Sequence, residues 1–138
     1  TPDLIIRDIT SMFTAVHDVS KGVEVADTML LPLNQWNLIA NTPRLAGSDK
    51  SVLDWAMSNN PHMKDLVWVD EMKGSGAGGT DKMVVYRRDV DAITMEIPSE
   101  FKQLPVQEKG LEYVVPTHHR FGGVLIYYPL SVAFADGI

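Results

Sequence analysis

The chain has no cysteine among its 138 residues. That absence removes disulfides, thiolate metal sites and cysteine nucleophiles together. Positive charge is also scarce: 12 Lys and Arg stand against 18 Asp and Glu, giving a formal net charge of -6. Proteins that bind phosphate backbones rely on a basic footprint and counterion release, so this balance argues against direct nucleic-acid recognition. No apolar run approaches the roughly 20 residues needed to span a bilayer. The opening Thr1-Pro2-Asp3 lacks the basic stretch and apolar run of a signal peptide. A soluble chain in the cytoplasm, away from any membrane, is expected, and the missing initiator Met reads as a start inside a longer protein.

What is present has globular proportions, with 45% hydrophobic and 22% charged residues. The length fits one unit with a core of its own. Thr1 is placed to cap a helix, with Pro2 in its first turn and Asp3 complementing the dipole. Ile5, Ile9, Met12, Val16 and Val19 recur at helical spacing until Lys21-Gly22 supplies a stop. A short apolar run over residues 27–31, closed by Pro32, predicts a buried strand. Residues 33–40 read as a second helix ended by Asn41-Thr42-Pro43. Ser48 or Asp49 can cap a third, which carries Val52, Leu53, Trp55, Ala56 and Met57.

From Leu66 the period shifts towards two. Residues 66–69 and 82–86 read as strands of a hairpin, with a glycine-rich loop between them. Ile93, Met95 and Ile97 alternate with Thr94 and Glu96 as in a half-buried strand. Residues 101–110 look irregular, residues 111–115 and 124–128 read as two further strands, and residues 129–138 carry no clear element.

Few features point to chemistry. Gly74-Ser75-Gly76-Ala77-Gly78-Gly79-Thr80 has the flexible backbone of an anion cradle, but Thr80-Asp81-Lys82 leads into β-prone Met83-Val84-Val85. A Walker loop needs a helix there, with Lys and Ser or Thr after the last glycine, so a mobile hairpin tip is the expectation. Adjacent His118 and His119, next to Arg120, point to opposite faces of an extended segment and do not chelate one metal. His17 and His62 are isolated. The pairs Asp89 with Asp91 and Asp70 with Glu71 sit at turns without a matched base or nucleophile. No serine sits in a Gly-x-Ser-x-Gly elbow, and Trp36, Trp55 and Trp68 are read as packing residues. The sequence therefore assigns no catalytic, cofactor-binding or metal-ligating residue.

A family resemblance covers nearly the whole chain. The amphipathic helix, the strand Thr28-Met29-Leu30-Leu31-Pro32 and the helix Asn34-Gln35-Trp36-Asn37-Leu38-Ile39-Ala40 are similar to the axial domain of tailed-bacteriophage major capsid proteins. Met83-Val84-Val85-Tyr86-Arg87-Arg88-Asp89, Glu96-Ile97-Pro98, Leu104-Pro105-Val106-Gln107, Arg120-Phe121-Gly122-Gly123-Val124 and Tyr128-Pro129 resemble the C-terminal region of an encapsulin-related prophage capsid family.

The resemblance implies an α+β fold of the Hong Kong 97 type. Its axial domain, a mixed sheet flanked by helices, would take about residues 1–91 and 121–138, and peripheral-domain strands about residues 92–120. It further implies a non-enzymatic shell subunit without cofactors, assembled around packaged DNA in the bacterial cytoplasm and residing in the virion capsid. Partners would be copies of itself, with other capsid or scaffolding proteins, and the chain alone would be a monomer or low-order oligomer. An acidic wall that repels packaged phosphates fits this reading. Two alternatives stay open: an encapsulin-like compartment enclosing protein cargo, and a small α/β ligand-binding module or enzyme using the glycine-rich loop for an anion.

Overall fold

The computed structural model describes all 138 residues. They form two compact units, Thr1–Arg88 with Tyr128–Ile138, and Asp89–Tyr127. No Pro- or Gly-rich linker marks the division. The backbone simply leaves the first unit after Arg88 and returns at Tyr128. The strand at residues 123–126 lies in the second unit.

The first unit opens with helix α1, Pro2–Val19. Its buried face is Ile6, Ile9, Phe13 and Val16. Ile5 and Met12 flank that face, and Val19 is exposed, so the stripe is rotated by about one residue from the one expected. Thr1 caps only through its backbone: its carbonyl accepts from the N–H groups of Leu4 and Ile5, while its hydroxyl makes no capping bond. Lys21 and Gly22 end the helix with positive φ, and the Gly22 N–H donates to the His17 carbonyl at 2.8 Å, a closure that favours glycine.

Strand β1, Thr28–Leu31, is the buried centre of a four-stranded mixed sheet. Helices α2, Leu33–Asn41, and α3, Val52–Asn59, lead to β2, Asp65–Trp68, which pairs parallel with β1. Strand β3, Lys82–Tyr86, pairs antiparallel with the other edge of β1. The expected hairpin between residues 66–69 and 82–86 is thus not formed, because β1 lies between the two strands. The physical cause is loop length. A two- to five-residue turn joins neighbouring strands, whereas the thirteen residues from Val69 to Asp81 reach across the roughly 10 Å occupied by an intervening strand.

The cap of α3 is Ser51, not Ser48 or Asp49. Its Oγ accepts from the Asp54 N–H at 3.1 Å. Ser51→Ala should cost about 1 kcal/mol, measured as a lower urea midpoint with an unchanged slope, whereas Ser48→Ala should leave the midpoint in place.

Ten residues without a predicted element supply the last strand of the sheet. β10, Val132–Asp136, pairs antiparallel with β3 along five residues, after a single 3-10 turn at Pro129–Ser131. Helix α1 packs on β10, β3 and α3, and α2 packs on α3 and β2. The core these contacts enclose includes Met29, Leu31, Val52, Ala56, Met83 and Val85.

The second unit is a ladder of three antiparallel pairs. β4, Ile93–Glu96, pairs with β9, Gly123–Ile126. β5, Ser99–Gln103, pairs with β8, Thr117–Arg120, with a register shift between Ser99 and Lys102. β6, Gln107–Lys109, pairs with β7, Glu112–Val114, across Gly110-Leu111. Residues 101–110, expected to be irregular, therefore hold most of β5 and all of β6, and β8 occupies a stretch read as a connection.

Candidate functional surfaces

The residues that sequence reading weighed for chemistry are scattered. His118 and His119 lie on exposed β8, and the His118 ring is 3.5 Å from Ser99 Oγ across the ladder. His62 sits edge-on to the Phe13 ring, with centroids 5.4 Å apart. His17 lies beside Gly22 at the end of α1. Asp89 accepts from the Asp91 N–H in a turn, and Asp70 and Glu71 form a short 3-10 turn. No three His, Asp or Glu side chains gather as a metal site requires. Trp55 stacks under the Arg44 guanidinium at 5.2 Å, Trp68 is half exposed, and Trp36 keeps its indole N–H buried without a partner.

The glycine-rich loop has more internal structure than its composition shows. The Asp81 carboxylate accepts from the Asn34 amide at 2.8 Å and from the Gly74 N–H at 3.0 Å, and those two bonds hold it below the usual carboxylate range. The Gly76 N–H donates to the Thr80 carbonyl at 2.8 Å. A Cβ at Gly76 would meet Thr80 Oγ1 at 2.8 Å and its carbonyl at 2.9 Å, so the turn requires glycine there. The N–H groups of Gly74, Gly76 and Gly79 are thus taken up by the protein itself.

Two buried carboxylates were not singled out from the sequence. Glu24 pairs with Arg87 at 2.6 Å. The Asp27 carboxylate accepts from the Arg88 N–H at 2.8 Å, from Lys64 at 3.1 Å and from the Thr28 hydroxyl at 3.2 Å. Burial pushes the Asp27 carboxyl up, but the Arg88 N–H, Lys64 and Thr28 together outweigh it and hold its pKa below the ordinary value. A carboxyl depressed in the folded state adds stability above its unfolded pKa of about 3.9 and loses it as pH falls through the folded value. Asp27→Asn should therefore cost about 1–3 kcal/mol near neutrality, with the difference from the parent shrinking below pH 4. Urea titrations of both proteins across that range check the sign.

A largely apolar groove of about 380 Å³ lies in the first unit, lined by Ile5, Ile9 and Met12 of α1, Leu38 and Ile39 of α2, and Met83 of β3. Asp8, Ser11, Gln35 and Asp136 also line it, and the Gln35 amide donates to the Ile138 carbonyl at 3.3 Å.

The largest feature is exposed apolar surface. In the second unit Ala92 is the only buried residue, while Met95, Phe101, Leu111, Tyr113, Phe121, Val124 and Ile126 are exposed, Leu111 at 103%. The chain exposes 9191 Å², whereas a compact monomer of 15.3 kDa exposes about 7,100 Å². The surplus, about 2,000 Å², is on the scale of an obligate protein interface. Two-stranded ladders are marginal alone and become stable when a face is covered.

Exposed apolar patches of this kind mark surfaces that other molecules cover. The chain belongs to the major capsid protein family, whose family model matches residues 1–138. Among solved structures, a chain of the capsid of Myoviridae phage XM1 matches with a TM-score of 0.90 and 23% sequence identity, over 100% of this chain and 47% of that one. This chain therefore spans about half the length of that capsid chain, and the likeness establishes the α+β fold of a phage capsid protein. No curated protein matches it.

Proposed function

We propose that the chain is the C-terminal portion of a bacteriophage capsid subunit, which assembles with copies of itself into a shell around packaged DNA. The observation that carries this reading is the uncovered apolar surface of the second unit, where Ala92 alone is buried while Met95, Phe101, Leu111, Tyr113, Phe121, Val124 and Ile126 stand exposed. Family membership supports it. The first unit serves as the axial domain and residues 89–127 as strands of the peripheral domain. The role is structural: repeated contacts between identical subunits need geometry and buried area, not an activated side chain. Assembly takes place in the bacterial cytoplasm, with other capsid or scaffolding proteins as further partners, and the net charge of -6 keeps the wall from holding the genome. Electron microscopy of the full-length parent protein tests the proposal. Regular closed particles are expected, with nucleic acid inside when they form during infection. A parent protein that stays as small monodisperse species would overturn it, and shells filled only with protein would shift the reading to a cargo compartment.

A further inference from the structure

All five buried polar residues of the chain, Ser20, Glu24, Asp27, Thr28 and Ser131, fall in one network. Burying polar groups is costly unless each finds a partner, and their concentration at one place in an otherwise apolar core calls for a reason. Their partners supply it. Arg87 and Arg88 are the last residues before the chain leaves the first unit, and Tyr128 to Ser131 are the first after it returns.

We infer that Glu24 and Asp27 form a clasp that anchors both of these crossings and can open without melting the core. On the outgoing strand, Asp27 accepts from the Arg88 N–H at 2.8 Å and its own N–H donates to the Tyr86 carbonyl at 3.2 Å. Glu24 takes the Arg87 guanidinium at 2.6 Å. The returning strand is tied to the outgoing one, because the Arg87 N–H donates to the Ser131 carbonyl at 3.1 Å and the Ser131 hydroxyl donates to the Tyr128 carbonyl at 2.6 Å. The clasp is itself braced. Ser20 Oγ accepts from the Glu24 N–H at 2.9 Å, and the Asp27 carbonyl accepts from the N–H groups of Lys64 at 2.8 Å and Asp65 at 3.2 Å.

Lys64 reaches Asp27 from the segment before β2, and Asp65 faces Arg88 at 3.5 Å in an exposed pair. The Glu24–Arg87 pair is the shielded one, with the Glu24 side chain 8% exposed, so added salt screens it weakly. Removing Glu24 breaks this 2.6 Å pair, and the disturbance falls on the crossings before it reaches β1. The inference concerns the first unit alone and holds whether or not the chain builds a shell.

Native-state hydrogen exchange followed by NMR tests it on the 138-residue chain. In Glu24→Gln the amides of Arg87 and Arg88 should lose protection at least tenfold, while the amides of Leu30 and Val85 in the sheet centre keep theirs. Wild-type protein supplies an arm that needs no variant: as pH falls below 4, protection at Arg87 and Arg88 should drop while the sheet centre is still closed. If crossing and core amides instead move together in both arms, the network is ordinary core support and the clasp is wrong. Unchanged protection at Arg87 and Arg88 in Glu24→Gln would overturn it equally.

Discussion

Met29→Ala is expected to lower the unfolding free energy by about 2–5 kcal/mol. Met29 lies on the central strand, 0% exposed, paired with Leu66 on one side and Val85 on the other. Its side chain sits in a core closed by helices and strands from distant parts of the sequence, so little of the cavity left by truncation can collapse. A domain of this size is stable by about 5–15 kcal/mol, which makes the loss a large fraction of the whole. Met95→Ala provides the contrast: the same change on the exposed ladder should cost less than about 0.5 kcal/mol in the isolated chain. Urea unfolding of the two variants decides the matter. Equal losses would mean that the ladder is packed as firmly as the sheet.

The contrast between those methionines also explains what a single sequence can and cannot show. The three helices are legible because their information is local: an apolar stripe, Pro at a first turn, Gly22 at an end, Asn41-Thr42-Pro43 as a stop. The strand order is not local. Strand β2 reads as the hairpin partner of β3 only while β1, about 40 residues earlier, is left out of account. β10 escaped notice because Val132-Ala133-Phe134-Ala135-Asp136 has small residues on its inner positions and finds its partner across some fifty residues. β5, β6 and β8 were missed for another reason. A strand shows period two when one face is buried, and these have polar and apolar residues mixed because neither face rests on a core within this chain.

The same limit applies to the functional surfaces. Residue types alone made the glycine-rich loop and the histidines conspicuous, and the structure shows the loop closed on Asp81 and the histidines apart. Glu24 and Arg87 stand 63 positions apart, and Asp27 and Arg88 61. Nothing in one sequence links them. The visible signal was Arg87-Arg88 at the end of a strand, two cations together where an apolar segment stops, which asks for carboxylates nearby. The family resemblance located the fold correctly, and its motifs at residues 28–32, 34–40 and 83–89 fall on β1, α2 and β3 of the first unit.

Substituting Met95 and Val124 together by Thr in the full-length parent protein should abolish shell formation while leaving the first unit as stable as before. These residues face each other across the β4–β9 pair, and the next pair on the same face is Ile93 with Ile126. The result is an apolar face two cross-strand pairs long, with Met95, Val124 and Ile126 exposed. Threonine is isosteric with Val124 and β-branched, which suits a strand at both positions, while it replaces apolar surface with a hydroxyl, so the ladder itself is preserved. What is lost is the gain on covering that face, about 1.5–3 kcal/mol for each fully buried side chain of this size. A closed shell repeats every contact in each subunit, so a deficit of a few kcal/mol per copy accumulates across the particle. Electron microscopy and sedimentation of the variant should find free subunits or small oligomers, and thermal unfolding of the 138-residue chain carrying both changes should match the unsubstituted chain. Closed particles of normal size at normal yield would show that this face is not covered on assembly, and the second unit would then have to make its contacts through Phe101, Leu111 or Tyr113 instead.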